Sequence, residues 1–324
     1  MPLAIAAKST GGPDVLHALD LPTPPPSSGE VALRHTAIGV NFIDTYFRSG
    51  LYPWPVEQDL VLGSEAAGVI TALGPDVSGF KVGDRVGYTI PNGAYVRERV
   101  IEARHLVALP DGIADEIAAA AMLKGLTAHY LLHRSFHVQA GQTVLFHAAA
   151  GGVGLIAGQW LAAKGVTAIG TAGGTEKCAL AAQHGYAHTI DYTSEDFAAR
   201  VADITGGKGV DAVYDSVGKD TYPGSLNCLK TFGTLVNFGQ SSGPALDFKL
   251  SDLAAGSFTV TRPVLFHFTA DADYLKTASS DLFSMIENGS LKINVNQRFD
   301  LENAGDAHRA LEGRKTTGST VLVP

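Results

Sequence analysis

The chain has 324 residues, enough for two domains, and 45% of them are hydrophobic, as in globular proteins with a sizeable core. Its formal net charge is -8 and it has no basic cluster, so nucleic acid and anionic membrane surfaces are poor candidates for partners. Two cysteines exclude a disulfide framework, and the first residues lack the pattern of a signal peptide, so we expect a cytoplasmic protein.

The first 120 residues or so are rich in turns. Short apolar runs such as "EVALRHTAIGV" and "AAGVITAL" are separated by Gly and Pro in "LPTPPPSSGE" and "LGPDVSGFKVGDRV". Short strands at close spacing with this punctuation predict a small β-barrel or curled sheet. The next segment, "DEIAAAAMLKGLTAHYLLH", has helical spacing and begins near Asp115.

From Thr143 onward, apolar strands alternate with helical segments. "TVLFHAAA", "VTAIGTAG", "HTIDY", "VDAVYDSVG" and "GTLVNFG" read as strands, and helical patterns lie between them. This alternation predicts a doubly wound parallel sheet in an α/β domain. After about Arg262 the pattern is mixed and ends in the strand-like "STVLVP". The simplest architecture is a nucleotide-binding domain inserted between two parts of a second domain.

A glycine-rich turn lies between the first of these strands and its helix. It reads Ala149-x-Gly151-x-x-Gly154, so the first glycine of G-x-G-x-x-G is replaced by another small residue. A strand, a glycine turn and a helix in this order predict a dinucleotide site with the pyrophosphate at the helix N-terminus. The alternative is a tight turn that needs glycine only for packing.

The second strand of this domain indicates which dinucleotide is bound. NAD sites usually have an acidic residue at its end, whereas here it ends "IGTAGG" and Lys177 follows. A gap without a carboxylate, together with a lysine, favours the 2′-phosphate of NADP. The alternative is that Lys177 is a solvated helix residue.

Four segments carry a resemblance to a known family: "GVNFIDTYFRSGLYPWP", "VLGSEAAGVITALGPDVSGFKVGDRVGY", "AAAMLKGLTAHYLL" and "LFHAAAGGVGLIAGQWLAAKG". The chain resembles the zinc-free quinone oxidoreductases, in the zeta-crystallin branch of the medium-chain dehydrogenase/reductase superfamily. The resemblance implies a GroES-like β-barrel domain (residues 1–124 and 264–324) and a Rossmann domain (residues 125–263). It also implies NADPH as the reductant of a quinone, and usually a homodimer.

The chain departs from the zinc-dependent members of that superfamily. Those enzymes have Gly-His-Glu where this chain has Gly63-Ser64-Glu65, and a cysteine near the position of Asn41. Serine and asparagine are poor zinc ligands, so we expect no metal. Activation of the substrate must then come from hydrogen bonds and from the electron affinity of the acceptor.

The resemblance also implies a set of site residues. Those expected to face the nicotinamide and the substrate are Asn41, Asp44, Tyr46 and Tyr52. Those expected to bind the cofactor are Asn41, Thr45, Tyr130, Gly151, Gly152, Val153, Gly173, Lys177, Tyr192, Ser216, Phe238, Gly239, Ser241, Phe266 and Arg314.

Several alternatives remain open at this point. An α,β-unsaturated carbonyl could replace the quinone, and a non-catalytic NADPH-binding protein would use the same cofactor residues.

Gly239–Gly243 matches the G-x-S-x-G elbow of hydrolases, but Pro244 follows where a helix is needed. His129, His133 and His137 share a helix face without a nearby carboxylate, which favours a polar face over a metal site. A homodimer is expected to form through "GTLVNFG", placed near a sheet edge, with "SFTVTRPVL" as another candidate strand.

Overall fold

The computed structural model describes residues 3–57 and 59–324. Two compact units share the chain. Unit 1 consists of Met1–Leu126, Thr269–Glu287 and Ile293–Pro324, and unit 2 of Thr127–Phe268 and Asn288–Lys292. No helix of the described residues is long and apolar enough to cross a membrane.

From β9 to β13 the strands and helices alternate as the sequence predicts. The strands are β1 Leu3–Ala7, β2 Leu16–Asp20, β3 Glu30–Val40, β4 Leu60–Val61, β5 Glu65–Leu73, β6 Arg85–Thr89, β7 Glu98–Glu102, β8 Leu106–Ala108, β9 Thr143–Phe146, β10 Thr167–Ala172, β11 His188–Asp191, β12 Val210–Asp215, β13 Leu229–Asn237, β14 Thr259–Thr261, β15 Val295–Asp300 and β16 Ser319–Val323. The helices are α1 Phe42–Ser49, α2 Asp115–Tyr130, α3 Gly152–Ala163, α4 Thr175–Ala182, α5 Phe197–Thr205, α6 Tyr222–Asn227, α7 Leu265–Thr269, α8 Ala272–Glu287 and α9 Ala304–Glu312.

Unit 1 is organised around the long strand β3. This strand pairs antiparallel with β5, β7 and β16, and the larger sheet runs β15-β16-β3-β5-β6-β8. Most of β3 is buried, and its Leu33 and Ile38 pack with Ile70, Val86 and Leu322 in one core. A three-stranded sheet, β2-β1-β4, completes the strands of the unit. The predicted curled sheet with short strands is confirmed.

Unit 2 contains a six-stranded parallel sheet in the order β11-β10-β9-β12-β13-β14. This is the Rossmann order, in which the direction of winding reverses between the first and fourth strands of the domain. Here that reversal falls between β9 and β12, with Phe146 paired to Tyr214. The predicted α/β class, with a Rossmann sheet and a second domain, is confirmed. Ligands of such sheets bind beyond the carboxyl ends of the strands at this point.

One placement within this sheet was wrong. The segment "GTLVNFG" belongs to β13, which is paired on both sides, with β12 and with β14. The strand at the sheet edge is β14, from the neighbouring segment "SFTVTRPVL". Both stretches are short and apolar, so only the pairing of distant segments distinguishes an inner strand from an edge strand.

Candidate functional site

The glycine turn of unit 2 lies where the sheet order predicts a ligand. Gly151 is the N-cap of α3, and Gly152 is its first residue. A Cβ on Gly154 would lie 2.5 Å from the Ala148 carbonyl oxygen and 2.6 Å from that of Ala149, so only glycine lets the helix approach the turn this closely. The first amides of a helix have no partner within it and carry a partial positive charge, which suits a phosphate. Both the binding role and the packing role considered for these glycines therefore have a structural basis.

The loops after β10 and β11 bring three predicted cofactor residues together. Lys177 is the third residue of α4, a helix that begins after Gly173 and the N-cap Gly174. A Cβ on Gly173 would lie 2.7 Å from the hydroxyl oxygen of Tyr192, so the ring of this tyrosine covers the loop. The carboxylate of Asp191 accepts hydrogen bonds from the Gly174 amide (2.9 Å) and from Thr193, which lower its pKa. This acid is therefore engaged with the loop backbone.

A further group of predicted residues follows β12 and β13. The Ser241 amide donates to the Ser216 carbonyl at 3.1 Å, and the Phe238 amide donates to that of Asp215 at 2.8 Å. A Cβ on Gly239 would lie 2.6 Å from the Ser216 carbonyl oxygen. These loops are thus held against each other at the same edge of the sheet as the glycine turn.

A buried polar network fixes the strand ends from which these loops start. The carboxylate of Asp215, which has no exposed surface, accepts hydrogen bonds from the amides of Val217 (2.7 Å) and Gly218 (3.1 Å). The imidazole of His147, which follows β9, contacts Thr171 Oγ1 at 2.9 Å and Ser225 Oγ at 3.0 Å. Burial lowers the pKa of His147, so the ring is neutral. The ends of β9, β10 and β12 are therefore fixed by side chains as well as by the sheet.

Tyr130 and Phe266 lie elsewhere in unit 2. Tyr130 ends α2 and is buried, with its ring stacked on Phe268 at a centroid distance of 4.6 Å. Phe266 lies on the short helix α7, two residues before that ring. The ring partner of Tyr130 and the predicted residue Phe266 therefore lie on the same short helix.

In unit 1, four predicted residues lie on or next to α1. Asn41 is the N-cap of this helix, and Asp44, Thr45 and Tyr46 lie in its first turns. The ring of Tyr52 packs at a centroid distance of 5.2 Å from that of Tyr46. The Thr45 hydroxyl donates to the Phe42 carbonyl at 2.7 Å, a bond within the helix. Arg314, a predicted cofactor residue, is exposed after the end of α9 and has a left-handed φ of 56°.

Asp44 is fully buried and accepts three hydrogen bonds. The donors are the Asn41 amide (2.8 Å), the Ser64 hydroxyl (2.8 Å) and the Tyr95 hydroxyl (3.0 Å). Burial raises the pKa of Asp44 from 3.8 to about 6, and the three hydrogen bonds act against this rise. The carboxyl thus joins the start of α1 to the segment before β5.

Glu65 forms a second buried acidic centre. Its Oε1 accepts hydrogen bonds from Asn41 Nδ2 (2.8 Å) and Lys124 Nζ (2.7 Å), and its Oε2 accepts one from the Leu123 amide (2.6 Å). The Lys124 and Glu65 side chains are 7% and 0% exposed. Asn41 is therefore held between two buried acids, by its backbone on one side and by its side chain on the other.

The Tyr95 hydroxyl also connects Asp44 to α9. It lies 3.0 Å from His308 Nε2, and Arg48 Nη1 donates to His308 Nδ1 at 3.1 Å. Because arginine only donates, Nδ1 accepts, and the proton of the neutral ring is on Nε2. Burial, together with the nearby Arg48 charge, lowers the pKa of His308 to about 3. Arg48 is paired in turn with Glu312.

Comparisons with known proteins identify the family. Residues 27–140 match the model of the alcohol dehydrogenase GroES-like domain, and residues 184–322 match a model described as zinc-binding dehydrogenase. The quinone oxidoreductase of Pseudomonas aeruginosa is 52% identical over 316 residues, which cover 97% of each chain. The chain belongs to the quinone oxidoreductase family. Unit 1 thus contains the GroES-like fold of this quinone oxidoreductase family member, and unit 2 its Rossmann fold.

Two further relatives bear on the chemistry of this quinone oxidoreductase family member. The crystal structure of Escherichia coli quinone oxidoreductase complexed with NADPH superimposes with a TM-score of 0.97, at 44% identity, and covers 99% of this chain and 100% of that chain. A 2-haloacrylate reductase from a Burkholderia species is 43% identical over an alignment of 332 positions, which covers 100% of this chain and 99% of the relative.

The rival sites are not built in this quinone oxidoreductase family member. The segment after Ser241 forms turns, whereas a hydrolase elbow needs a helix at that point. His308, which follows Ser241 in the chain order expected for a hydrolase triad, is engaged with Tyr95 and Arg48. The rings of His129 and His133 stack at 4.4 Å and both pack edge-on against Trp160. Within the described residues, no group of three or more His, Cys, Asp or Glu side chains could hold a metal.

Sequence reasoning missed the partners of the predicted residues. The network residues Tyr95, Arg48, His308 and Lys124 were not among the predicted site residues of this quinone oxidoreductase family member. One signal was present: Lys124 is the one Lys, Arg, Asp or Glu between Ile117 and Leu132. A lone charge in an apolar helix needs a buried partner, and here that partner is Glu65.

Proposed function

We propose that the protein reduces quinones with NADPH as the electron donor. The observation that carries this proposal is the full-length identity of 52% and 45% to two quinone oxidoreductases. It is supported by a Rossmann sheet with a glycine turn at the reversal of strand order. One hydride and one proton convert a quinone to a hydroquinone, and NADPH supplies the hydride when bound.

The residues of unit 2 fit this cofactor. The amides at the start of α3 suit its pyrophosphate, and substituting Gly151 would add a Cβ at 3.2 Å from the Ala148 carbonyl oxygen. We assign Gly151, Gly152 and Val153 to the pyrophosphate. The remaining proposed contacts of unit 2 are Tyr130, Gly173, Lys177, Tyr192, Ser216, Phe238, Gly239, Ser241 and Phe266. Those of unit 1 are Asn41, Thr45 and Arg314.

Lys177 and Tyr192 are the proposed ligands of the 2′-phosphate. The end of β10 carries no acid that would repel this group, and Asp191 is occupied by the loop amides. Lys177→Ala should weaken NADPH binding roughly ten- to a hundred-fold and leave NADH binding nearly unchanged, as measured by fluorescence titration. An equal loss for the two nucleotides would refute the assignment.

On the substrate side, neutral donors are proposed to stabilise charge. The quinone oxygen gains negative charge as it is reduced, and a phenol or an amide can donate to it. Tyr46, Tyr52 and the carboxamide of Asn41 are the candidates. Asp44 is assigned to holding the start of α1 in place, because its carboxyl binds the Asn41 amide and Ser64.

We propose that this reaction needs no metal. Ser64 and Asn41 are poor zinc ligands, and both side chains are engaged in hydrogen bonds to the two buried acids. Full activity after chelation, with no stoichiometric zinc by elemental analysis, is the expected result. Activity that disappears with the metal and returns with added zinc would overturn the proposal.

The decisive experiment is steady-state oxidation of NADPH with a panel of acceptors. The panel contains quinones of graded reduction potential and α,β-unsaturated carbonyls, because the relationship to a 2-haloacrylate reductase favours the latter as a second candidate substrate class. We expect the highest kcat/KM with quinones. A preference for the unsaturated carbonyls would establish the second candidate, and NADPH binding without turnover would indicate a non-catalytic protein.

We further propose a homodimer that forms through unit 2. Strand β14 has one neighbour in the sheet, and the side chains of Phe232, Leu246 and Leu250, which precede it in the chain, are 76%, 84% and 79% exposed. An unpaired sheet edge and exposed apolar side chains in the same unit both suit a second copy of the chain. Light scattering should report twice the monomer mass of 33.8 kDa at micromolar concentration. A monomer would refute this.

Two assignments complete the proposal. We place the domain limits at residues 1–124 and 264–324 for the GroES-like domain, and at 125–263 for the Rossmann domain. We also propose a cytoplasmic location, which the two free, buried cysteines support, since both are in the thiol form that this compartment maintains.

A further inference from the structure

The starting point is a carboxylate that is buried in unit 2. Asp215 is the last residue of β12, and it has no exposed surface. Its Oδ1 accepts hydrogen bonds from the amides of Val217 (2.7 Å) and Gly218 (3.1 Å), and its Oδ2 accepts one from Thr221 Oγ1 (2.8 Å). All three groups donate to it, as expected for an ionised carboxylate, which only accepts hydrogen bonds.

In the described part of the chain, this carboxylate is not paired with a cation. Its hydrogen-bond partners within residues 3–57 and 59–324 are amides and hydroxyls. Burial lowers the pKa of the neighbouring His147, and the charge of Asp215 opposes this only in part, so the ring is neutral. The negative charge of Asp215 therefore has no counter-charge at hydrogen-bond distance.

The charge itself is not needed to hold the loop after β12. An asparagine can accept both amides through its Oδ1 and donate through its NH₂ group to the hydroxyls of Thr221 and Ser225, which lie 2.8 Å and 3.4 Å from Oδ2 of Asp215. It would do so without the cost of burying an ionised group. Stability alone therefore does not account for a charge at this position.

The sheet order places this charge beside one half of the proposed cofactor site. Lys177 and Tyr192, the proposed 2′-phosphate ligands, follow β10 and β11, and the glycine turn proposed for the pyrophosphate follows β9. A dinucleotide that continues across the switch point reaches β12 and β13 with its nicotinamide half. Asp215 lies there, directly before the proposed contact Ser216, and its carbonyl accepts the amide of Phe238 at 2.8 Å.

The nicotinamide is the part of the cofactor whose charge changes in the reaction. The reduction moves a hydride, which is one proton and two electrons, from NADPH to the quinone, and a proton from water completes the hydroquinone. The ring is neutral in NADPH and positive in NADP⁺. A negative charge near the ring therefore lowers the free energy of the oxidised form relative to the reduced form.

We propose that the buried charge of Asp215 stabilises NADP⁺ relative to NADPH in unit 2 and thereby favours transfer of the hydride to the acceptor. This inference rests on the proposed function, in which unit 2 binds NADPH. Because Asp215 has no exposed surface, its side chain acts on a bound ligand through its electric field and not through contact.

The test compares the affinities of the two redox forms in the wild type and in Asp215→Asn. Dissociation constants are measured by isothermal titration calorimetry with NADP⁺ or NADPH alone, so no turnover is involved. We expect the ratio of the Kd of NADP⁺ to the Kd of NADPH to rise about three- to thirty-fold in the variant, as for the loss of one charge pair inside a protein. Adenosine 2′,5′-bisphosphate, which has no nicotinamide, should bind both proteins equally.

Asp211→Asn is the matched control. Asp211 lies near the amino end of the same strand, β12, and its carboxylate is paired with Lys230. This variant removes the same unit charge from the opposite end of the strand, so the ratio should keep its wild-type value. A similar rise of the ratio in Asp211→Asn would assign the effect to net charge and would overturn the proposal.

Two further results would overturn it. One is an equal loss of affinity for NADP⁺, NADPH and the bisphosphate in Asp215→Asn, which would mean that Asp215 only shapes the loop. The other is a ratio that stays constant or falls. If Asp215→Asn does not fold, Asp215→Ser is judged by the same criterion, since a serine hydroxyl forms the same turn to the Val217 amide without a charge. A wild type that binds neither dinucleotide would instead contradict the proposed function.

Discussion

The buried carboxyl of Asp44 predicts an unusual dependence of stability on pH. Its pKa rises from 3.8 to about 6 on folding, so the folded state binds this proton more tightly than the unfolded state. The corresponding stabilisation is complete below the unfolded pKa of 3.8 and is lost as the pH rises through about 6. Asp44→Asn removes the titration and keeps the shape of the side chain.

The size of the effect follows from the shift. A difference of about two pKa units corresponds to about 3 kcal/mol of unfolding free energy. The unfolding free energy of the wild type minus that of Asp44→Asn should therefore fall by about 3 kcal/mol between about pH 4 and about pH 6.5, and stay constant above. Ser64→Ala removes a hydrogen bond that opposes the shift. The fall should be larger in that background and extend to higher pH.

Urea denaturation can isolate unit 1 in this measurement. The chain has two tryptophans: Trp54 packs against the core of unit 1, and Trp160 is buried in unit 2. In a Trp160→Phe background, the fluorescence change reports on unit 1 alone. The measured quantity is the unfolding free energy as a function of pH, with and without Asp44→Asn.

Two results would refute the reasoning about Asp44. A difference that does not change with pH would mean that burial and the three hydrogen bonds cancel. A difference that increases with pH would mean that the hydrogen bonds outweigh burial and that the folded pKa lies below 3.8.

Three other changes give equally direct outcomes. The folded pKa of His308 is about 3, so this histidine stabilises the fold above pH 6.5 and loses that contribution as the pH falls. His308→Gln should therefore reduce the acid-induced loss of unfolding free energy by about 5 kcal/mol. Denaturation midpoints measured as a function of pH in the acid range test this expectation. Gly154→Ala should destabilise unit 2 by about 1–3 kcal/mol, as measured by calorimetry, and should weaken NADPH binding in a titration. The control is Gly12→Ala, whose added Cβ has no atom within 4 Å and should change neither stability nor binding. Tyr46→Phe and Tyr52→Phe should lower kcat/KM modestly for strongly oxidising quinones and up to about a hundred-fold for weak acceptors; a loss independent of reduction potential would assign these tyrosines to pocket shape.

The sequence was sufficient for the architecture because its signals are local. The glycine turn between Thr143 and Gly165 carries its own strand, turn and helix, and these appear as β9 and α3. The alternation of strands and helices after it fixes a parallel sheet without knowledge of distant contacts. The same reasoning failed for "GTLVNFG", because strand order in a sheet depends on partners that are remote in the chain.

The chemistry around Asn41 was only partly predictable for the same reason. Glu65 was visible in the motif at residues 63–65, but its partner Lys124 comes 59 residues later, and Tyr95 reaches His308 across 213 residues. The local sequence pattern around one residue does not indicate which distant residue it will contact. A buried histidine or lysine is recognisable in sequence only as a polar residue in an apolar stretch.

The position of β16 has a consequence for how the protein is made. Strand β3 emerges from the ribosome early, yet one of its two antiparallel neighbours along the main sheet is Ser319–Val323, and all of unit 2 is translated between them. β7 pairs with Glu30–Arg34 of β3, but until β16 is synthesised the backbone groups of residues 38–40 on that side are open to other nascent chains. Unit 2 has every strand of its sheet within residues 143–261 and can complete that sheet first. Synthesis therefore favours an order in which the sheet of the inserted domain is completed before the domain that surrounds it, because the last pairing of β3 needs the C-terminal strand.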